Sequence, residues 1–376
     1  MSKTEVVVVG AGIAGLTSAA ILSKLGLAVT LIESHTQSGG CAGTFKRSNY
    51  IFDVGATQVA GLEEGGIHSR IFDFLGVKAP EATILDPACI VDLKDGSKPI
   101  PIWYKKKDWI EEREMQFPGS DRFWQLCSLI HKSNWIFANN NPILPISNFW
   151  DFSQLIKALV PTNLMTGILL KSTIFDLLRI CKLSKNHRLI RFLNLQLKLY
   201  SQEDVYNTAA LYGSTVLQMA QQPHGLWHLK NSMQSLSNSL EESLRNTGAN
   251  IIFGQEVNSI TFDNSKKYWK IVSKSKKDSF EYFADNLIYT APPQSLLKNL
   301  QEPLSKRQSY KKRITNLPNP SGALVFYSAL RKKHIKKISS NHYQFFSNEL
   351  GSLFVSISLD GDGRAPKGEV TLIASI

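Results

Sequence analysis

A parallel α/β fold, split by a long helical insertion and followed by a strand-rich segment, is what the amino-acid sequence predicts. Three observations predict it: an apolar strand–glycine turn–helix–strand run at the start, a Trp- and Phe-rich middle with helical periodicity, and strand-like runs from about residue 250 onward. The boundaries drawn from them are residues 1–95 and 225–295 for a discontinuous first domain, 96–224 for a helical lid, and 296–376 for a β-rich remainder.

The first element is the β-branched run of residues 6–9, which suits a strand buried on both faces. Gly10, Gly12 and Gly15 follow in G-x-G-x-x-G spacing. The first allows a tight turn, the second lets a pyrophosphate approach the backbone, and the third packs helix against strand. A helix over about residues 14–25 aims its N-terminal N–H groups at that pyrophosphate. Gly26 stops it, and residues 28–32 form the second strand. Glu33 closes that strand eighteen residues after Gly15, placed for the ribose hydroxyls. The parts of a Rossmann unit are all present in order. Gly39 and Gly40, in "ESHTQSGGCAGTF", then bring a second loop toward the same dinucleotide, and Gly55 in "FDVGAT" offers backbone to a flat ring.

Residues 107–212 contain "FWQLCSLIHKSNWIF", "NFWDFSQLIKALV" and "TGILLKSTIFDLLRICKL", apolar at helical spacing and broken by prolines at 142, 145 and 161. No run reaches the ~20 apolar residues that cross a bilayer. Two readings stand: helices over residues 149–183 form a lid or lie in a membrane interface with Trp and Lys anchors, or they are an ordinary helical domain with its apolar faces turned inward. Beyond them, "HGLWHLKNSMQSLSNSLEESLRNTGANIIFGQEVNSITFD" reads as a turn, a helix stopped at Gly248, and two strands. "YWKIVSK" and "FEYFADNLIYTAPP" add more, with residues 285–291 as a second buried run. His224 and His228, the one close histidine pair, lack the Glu of H-E-x-x-H and a third ligand, so no metal site is predicted. No Ser or Cys triad is recognisable. The last run, "EVTLIASI", reads as a strand that stops without a turn, expected to leave backbone groups and an apolar face without partners.

With 376 residues, 43% of them hydrophobic, the chain can fill two or more cores. Its net charge of +12 calls for an anionic partner. Nucleic acid is not that partner, since no finger spacing, RNP motif or recognition-helix pattern occurs. The clusters "YKKKDW" and "RKKHIKKI", taken with the apolar middle, point to an anionic membrane surface. The opening "MSKTE" has no signal-peptide pattern, so a peripheral position on the cytoplasmic side of a membrane is expected. Cys41, Cys89, Cys127 and Cys181 are far apart and read as reduced, mostly buried thiols. Cys41 sits beside the second glycine loop, where it is either packed or reactive.

Residues 39–72, "GGCAGTFKRSNYIFDVGATQVAGLEEGGIHSRIF", resemble the carotenoid desaturase and isomerase branch of the flavoproteins that include amine oxidases and phytoene desaturases. "LQLKLYSQEDVYNTAALYG", "HLKNSMQSLSNSL" and "LFVSISLDGDGRAPKGEVTLIAS" resemble more narrowly the C-3′,4′ desaturase group of cyanobacterial type. The resemblance implies a GR2-type FAD-binding Rossmann-like domain with an inserted lid and a β-rich substrate domain. It also implies FAD as cofactor, a membrane-dissolved carotenoid as substrate (in a photosynthetic membrane for the cyanobacterial group), and removal of two hydrogens to extend the polyene. Carried over by motif, Gly10, Gly12, Gly15, Glu33, Gly39, Gly40, Gly55 and Ala56 contact the dinucleotide, and the Val257 backbone meets the adenine. No catalytic side chain is assigned, because a neighbouring polyene spreads positive charge and makes a strong base unnecessary. A cis–trans isomerase of the same fold is the rival, and a non-catalytic lipid binder of the Rab GDP-dissociation inhibitor kind is the third reading. Two departures stand out. Asn231 and Ser232 occupy positions where many relatives carry glycine. Relatives also continue past residue 376 with a further glycine-containing FAD segment, so a C-terminally truncated chain with weak FAD binding is expected.

Overall fold

A computed structural model describes residues 4–302, 304–318, 322–335 and 339–376. The first sheet grows around β1 (Thr4–Val9), where Val6 to Val9 are all buried as a strand covered on both faces requires. The crossover through α1 (Ile13–Lys24) sets β2 (Val29–Ile32) parallel beside it. β9 (Asn250–Ile252) extends that side in parallel. On the other side β12 (Ser279–Tyr289) runs parallel to β1 and closes an antiparallel meander with β11 (Tyr268–Lys274) and β10 (Glu256–Asp263). One face is covered by α1, α2 (Ile67–Leu75) and α10 (Gln234–Asn246), with Val8, Leu16, Leu31, Leu236 and Leu240 at the centre. The other face has a smaller cluster of Val7, Val9, Ile32, Ile260 and Ile271, against which α11 (Pro293–Asn299) lays Leu296; α12 (Gln308–Thr315) follows α11. That thin cover corrects one expectation. Of the run at residues 285–291 none is buried: Asp285 and Asn286 are exposed and the rest half-exposed, with Ile288 against the larger cluster and Leu287 and Tyr289 against the smaller one, each covered only in part.

The second sheet has the order β13 (Val325–Arg331), β16 (Glu369–Ser375), β15 (Gly351–Ile357), β14 (His342–Ser347), β6 (Cys89–Asp92), β7 (Ile100–Ile102). It is antiparallel except where β14 meets β6. The expectation of an unpartnered final strand is overturned. β16 lies inside the sheet, paired along its length with β13 and over Leu372–Ser375 with β15, and Val370, Thr371 and Ile373 are buried. Two short ribbons, β3 (Thr44–Arg47) with β4 (Tyr50–Asp53) and β5 (Ala82–Ile84) with β8 (Trp227–Leu229), join the halves.

Seven helices fill the middle: α3 (Lys106–Gln116), α4 (Asp121–Asn139), α5 (Phe149–Ala158), α6 (Pro161–Gly167), α7 (Ile174–Ile180), α8 (His187–Ser201) and α9 (Ala210–Val216). Most of them share one core with the inner face of the second sheet, centred on Trp109, Phe117, Trp124, Ile174 and Phe192, with Phe346 and Phe354 packed against it. The fully buried Gln344 of β14 ties the layers, donating to the Leu195 carbonyl at 2.7 Å and accepting from the Gln196 amide at 2.7 Å. α5 and α6 depart from this pattern. Ten large apolar side chains between residues 144 and 170 stay exposed, Phe149 at 84% and Ile168 at 82% most of all. Lys132, Lys157 and Lys171 are exposed around them. No helix among the described residues is long and apolar enough to cross a membrane.

Candidate functional site

The glycine turn after β1 separates packing from vacancy. A side-chain carbon at Gly15 would overlap the Gly10 carbonyl oxygen, so the third glycine is required by the approach of α1 to the turn. Gly12 has no such reason. Its φ of −68° suits any residue, and a Cβ there would meet nothing within 4 Å. The space it leaves open lies at the head of α1, whose first turn has neither a side-chain cap nor an acidic residue. Free N–H groups and an open cradle at a helix N-terminus fit a pyrophosphate.

The other predicted residues gather around that cradle. Gly39 donates its N–H to the Ala11 carbonyl at 2.8 Å, and a Cβ at Gly40 would come 3.2 Å from the Gly12 Cα. Ala56 donates to the Cys41 carbonyl at 3.0 Å, which seats the Gly55–Ala56 turn against the second glycine loop. Glu33 accepts from Ala11 N–H through Oε2 at 2.6 Å, and through Oε1 from His35 N–H at 2.8 Å and the Ser34 hydroxyl at 3.1 Å, so Oε2 keeps a lone pair for a further donor. Gln255 N–H donates to the Glu33 carbonyl at 3.0 Å, bringing the start of β10 alongside. Two residues on, Val257 is buried, with its carbonyl bound by Asn299 Nδ2 at 2.8 Å. Gly10, Gly12, Gly15, Glu33, Gly39, Gly40, Gly55 and Ala56 thus form one cluster of loops beyond the C-terminal ends of β1 and β2, with Val257 at its edge. Asn231 takes the left-handed φ of +70° that favours glycine and that Asn tolerates best among other residues. The departure at that position is therefore absorbed locally.

Next to the Gly55 turn lies a buried charge cluster with no local signature in the sequence. Arg364 is 2% exposed. It donates from Nε and Nη2 to Asp53 Oδ2 at 3.2 and 3.0 Å, and from Nη1 to Asp362 Oδ2 at 2.9 Å and the Leu229 carbonyl at 2.8 Å. Asp53 Oδ1 in turn accepts from Met233 N–H, at the head of α10. His228 Nε2 lies 2.8 Å from Asp362 Oδ2. Burial pushes the Asp362 carboxyl up, but His228 and Arg364 outweigh it and hold the group below its ordinary range. His342, fully buried 6.5 Å from the His228 ring, has no partner at either nitrogen among the described residues. Burial, with the charges of His228 and Arg364, pushes it down to about 3.

The histidine pair singled out in the sequence is divided by the fold. His228 joins that cluster, whereas His224 gives its Nδ1 to Glu63 Oε1 at 2.8 Å and stacks on Trp135. Among the described residues no three His, Cys, Asp or Glu side chains are grouped to hold a metal. Cys41 is exposed beside Gly40, and burial pushes the Cys89 and Cys127 thiols up to about 12. Of the basic run at residues 331–338, Arg331 to His334 are exposed, and Lys336, Lys337 and Ile338 lie outside the described residues.

A mixed sheet built on a Rossmann-like strand–turn–helix–strand unit, joined to a second sheet under a helical cap, defines a Rossmann-like α/β protein. Residues 8–75 match the NAD(P)-binding Rossmann-like domain and residues 163–376 match the flavin containing amine oxidoreductase family. The chain belongs to the flavin containing amine oxidoreductase family. It is 23% identical over 362 residues to all-trans-retinol 13,14-reductase of Rattus norvegicus, which covers 93% of this chain and 58% of that protein. With 4,4'-diapophytoene desaturase (4,4'-diaponeurosporene-forming) of Staphylococcus haemolyticus it shares 22% identity over 363 residues, 93% of this chain and 67% of that one. Prolycopene isomerase of Arabidopsis thaliana is 25% identical over 296 residues, 77% of this chain and 48% of its own. The chain spans roughly half to two thirds of the length of these relatives. Its fold is shared by the PF1083 protein of Pyrococcus furiosus, with a TM-score of 0.70 at 16% identity over 99% of this chain and 79% of that one. Rab GDI of Plasmodium falciparum shares it too, with a TM-score of 0.60 at 13% identity over 100% and 82%.

Proposed function

We propose that this chain binds FAD and a membrane-dissolved carotenoid and removes two hydrogens from the carotenoid to lengthen its conjugated polyene. The observation that carries the reading is the exposed apolar face of residues 144–170 on a chain that also has an open dinucleotide cradle. Contiguous exposed apolar surface marks a partner, and a water-soluble amine needs none of it. A long polyene belongs in lipid, since each buried CH₂ gains about 0.8 kcal/mol on leaving water. The exposed Lys132, Lys157 and Lys171 and the net charge of +12 suit an anionic headgroup layer, at roughly 1 kcal/mol per basic residue near the surface. The protein then sits peripherally on the cytoplasmic side of a membrane. Desaturase, isomerase and reductase relatives are all named for polyene substrates.

In this reading Gly10, Gly12, Gly15, Gly39 and Gly40 cradle the pyrophosphate and Glu33 takes the ribose. Gly55 and Ala56 face the flavin ring, and Val257 borders the adenine. Bound FAD supplies the hydride acceptor. The chain supplies orientation and the exclusion of water. A second reading, cis–trans isomerisation, is favoured by the similarity to prolycopene isomerase. The test is to feed candidate carotenes to membranes containing the protein, then separate the products and weigh them. Loss of two hydrogens supports the proposal. An unchanged mass with altered geometry means isomerase, a gain of two hydrogens means reductase, and no conversion overturns all three.

A further inference from the structure

We propose that Arg364 and Tyr327 are positioning residues that hold the Val54–Ala56 turn against the flavin ring of bound FAD. The inference rests on the FAD reading and deepens it. It adds two residues that act through the turn, both from the strand-rich end of the chain.

On one side the turn is tied to the second glycine loop. Val54 N–H donates to the Gly43 carbonyl at 3.0 Å, and Ala56 N–H to the Cys41 carbonyl at 3.0 Å. A Cβ at Gly55 would stand 2.8 Å from the Cys41 carbonyl oxygen, so backbone meets backbone with no room to spare. Gly40 of that loop comes up against Gly12, where a Cβ would be 3.2 Å from the Gly12 Cα. The turn therefore extends the surface that begins at the pyrophosphate cradle.

Its other side is held from far along the chain. Asp53 ends β4, immediately before the turn, and is 3% exposed. Its Oδ2 accepts from Nε and Nη2 of Arg364 and its Oδ1 from Met233 N–H, so the carboxylate cannot pivot without losing a bond. The Arg364 carbonyl also accepts from Ile51 N–H at 2.9 Å. One residue thus grips β4 twice, by backbone and by side chain. The loop carrying Arg364 is itself confined. Asn231 N–H donates to the Asp362 carbonyl at 2.6 Å, and a Cβ at Gly363 would overlap Asn231 Oδ1. Tyr327 of β13 adds a separate hold. Its hydroxyl donates to the Val54 carbonyl at 3.0 Å, and its ring packs edge-on against Phe45 and Phe52 at 4.9 and 5.5 Å.

The guanidinium fork is what makes the main hold rigid. It makes four bonds to three acceptors, the Asp53 and Asp362 carboxylates and the Leu229 carbonyl. A lysine there is a single point charge, which keeps a counter-charge for the two carboxylates and gives up the geometry. Groups that receive a ligand must be held within about 0.5 Å of their working place by the residues behind them. The turn is the part of the site that loss of the fork would move. The pyrophosphate cradle is fixed separately, by the approach of Gly15 to the Gly10 carbonyl.

The test compares FAD with ADP, which has the adenine, ribose and pyrophosphate but no flavin ring. Both are titrated into the full chain freed of flavin, FAD by quenching of its fluorescence and ADP by calorimetry. Arg364→Lys should bind FAD about tenfold more weakly, the low end for losing a residue that orients a ligand-binding group, and ADP as the wild type does. Tyr327→Phe keeps the ring and loses the hydroxyl bond. It should weaken FAD about threefold, with ADP again unchanged. A general loss of structure would weaken both ligands together. Arg364→Lys that binds FAD as tightly as the wild type, or that loses ADP in equal measure, overturns the proposal and leaves the FAD reading standing. A wild type that binds ADP and FAD equally overturns it too, since the turn then meets no ring. Binding of neither ligand by the wild type overturns the FAD reading and this proposal with it. Where Arg364→Lys fails to fold, Tyr327→Phe decides by the same criteria.

Discussion

The turn cluster at the head of α1 and the helices α5 and α6 follow opposite rules. At the turn, backbone closes on backbone: Gly15 is fixed by the Gly10 carbonyl, Gly39 by Ala11, and Ala56 by Cys41. In α5 and α6 and the residues just beyond them, side chains reach outward, with Phe149 and Ile168 more than four-fifths exposed. The first region takes its shape from atoms of the chain itself. The second leaves large apolar side chains uncovered among the described residues. Apolar content alone therefore says little about function, and the location of the partner says much more.

The largest effect should come from pressing on the turn. Gly15→Val drives a side chain into the Gly10 carbonyl and should yield insoluble protein, whereas Gly12→Val enters open space and should fold. We expect the Gly12 variant to stay within about 0.5 kcal/mol of the parent in denaturant melts, yet to purify without flavin. A Gly12 variant that keeps its flavin would erase the distinction between packing glycine and ligand glycine.

Arg364→Met tests the self-sufficiency of the same region one layer deeper. It strands Asp53 and Asp362 in a buried site and should cost about 3–5 kcal/mol by guanidinium denaturation. A loss under about 1 kcal/mol would reduce the cluster to the rank of a surface pair.

Acid should loosen the interior by a smaller amount. His342 and His131 are pushed below the ordinary imidazole value, to about 3 and about 4. Between those values and 6.5 the unfolded chain binds more protons than the folded one, so their stabilisation is complete above pH 6.5 and shrinks as pH falls. From pH 7 to pH 5 each group should withdraw about 2 kcal/mol. His342→Phe should flatten the unfolding profile over that range, and an equally steep profile in the variant would assign the slope elsewhere.

The smallest effect on stability should come from the exposed face. Phe149→Ser and Ile168→Ser should each change it by less than about 0.5 kcal/mol. Binding to anionic vesicles in a flotation assay should nevertheless weaken, since burying one such side chain gains about 1.5–3 kcal/mol. A large loss of stability with unchanged flotation would return α5 and α6 to the ordinary interior.

The same contrast explains what could be read from the sequence. The strand, turn, helix and strand of residues 4–32 match their expected bounds within two residues, because glycine spacing and β-branched runs are local signals. The second sheet was legible only as strand content. Its order joins residues 89–102 to residues 325–375, and no local pattern encodes β6 lying parallel to β14. The final strand illustrates the cost: its apolar pattern was visible, but its two neighbours were not. Asp53, His228, Asp362 and Arg364 each look like ordinary surface residues in sequence. The one available hint was acidic and basic side chains set close to strongly apolar runs. Glu63 and His224 were separated in the same way, 161 positions apart.

The bond between Arg364 and Asp53 also has a consequence in time. The two residues are 311 positions apart in the chain. At about 5–20 residues per second of synthesis, roughly 15–60 s pass between the emergence of Asp53 and that of its guanidinium partner. For that interval the Asp53 carboxylate, which later accepts from Met233 N–H at the head of α10, lacks its Arg364 counter-charge. A dinucleotide that arrived early would meet the glycine loop before the wall behind it had closed.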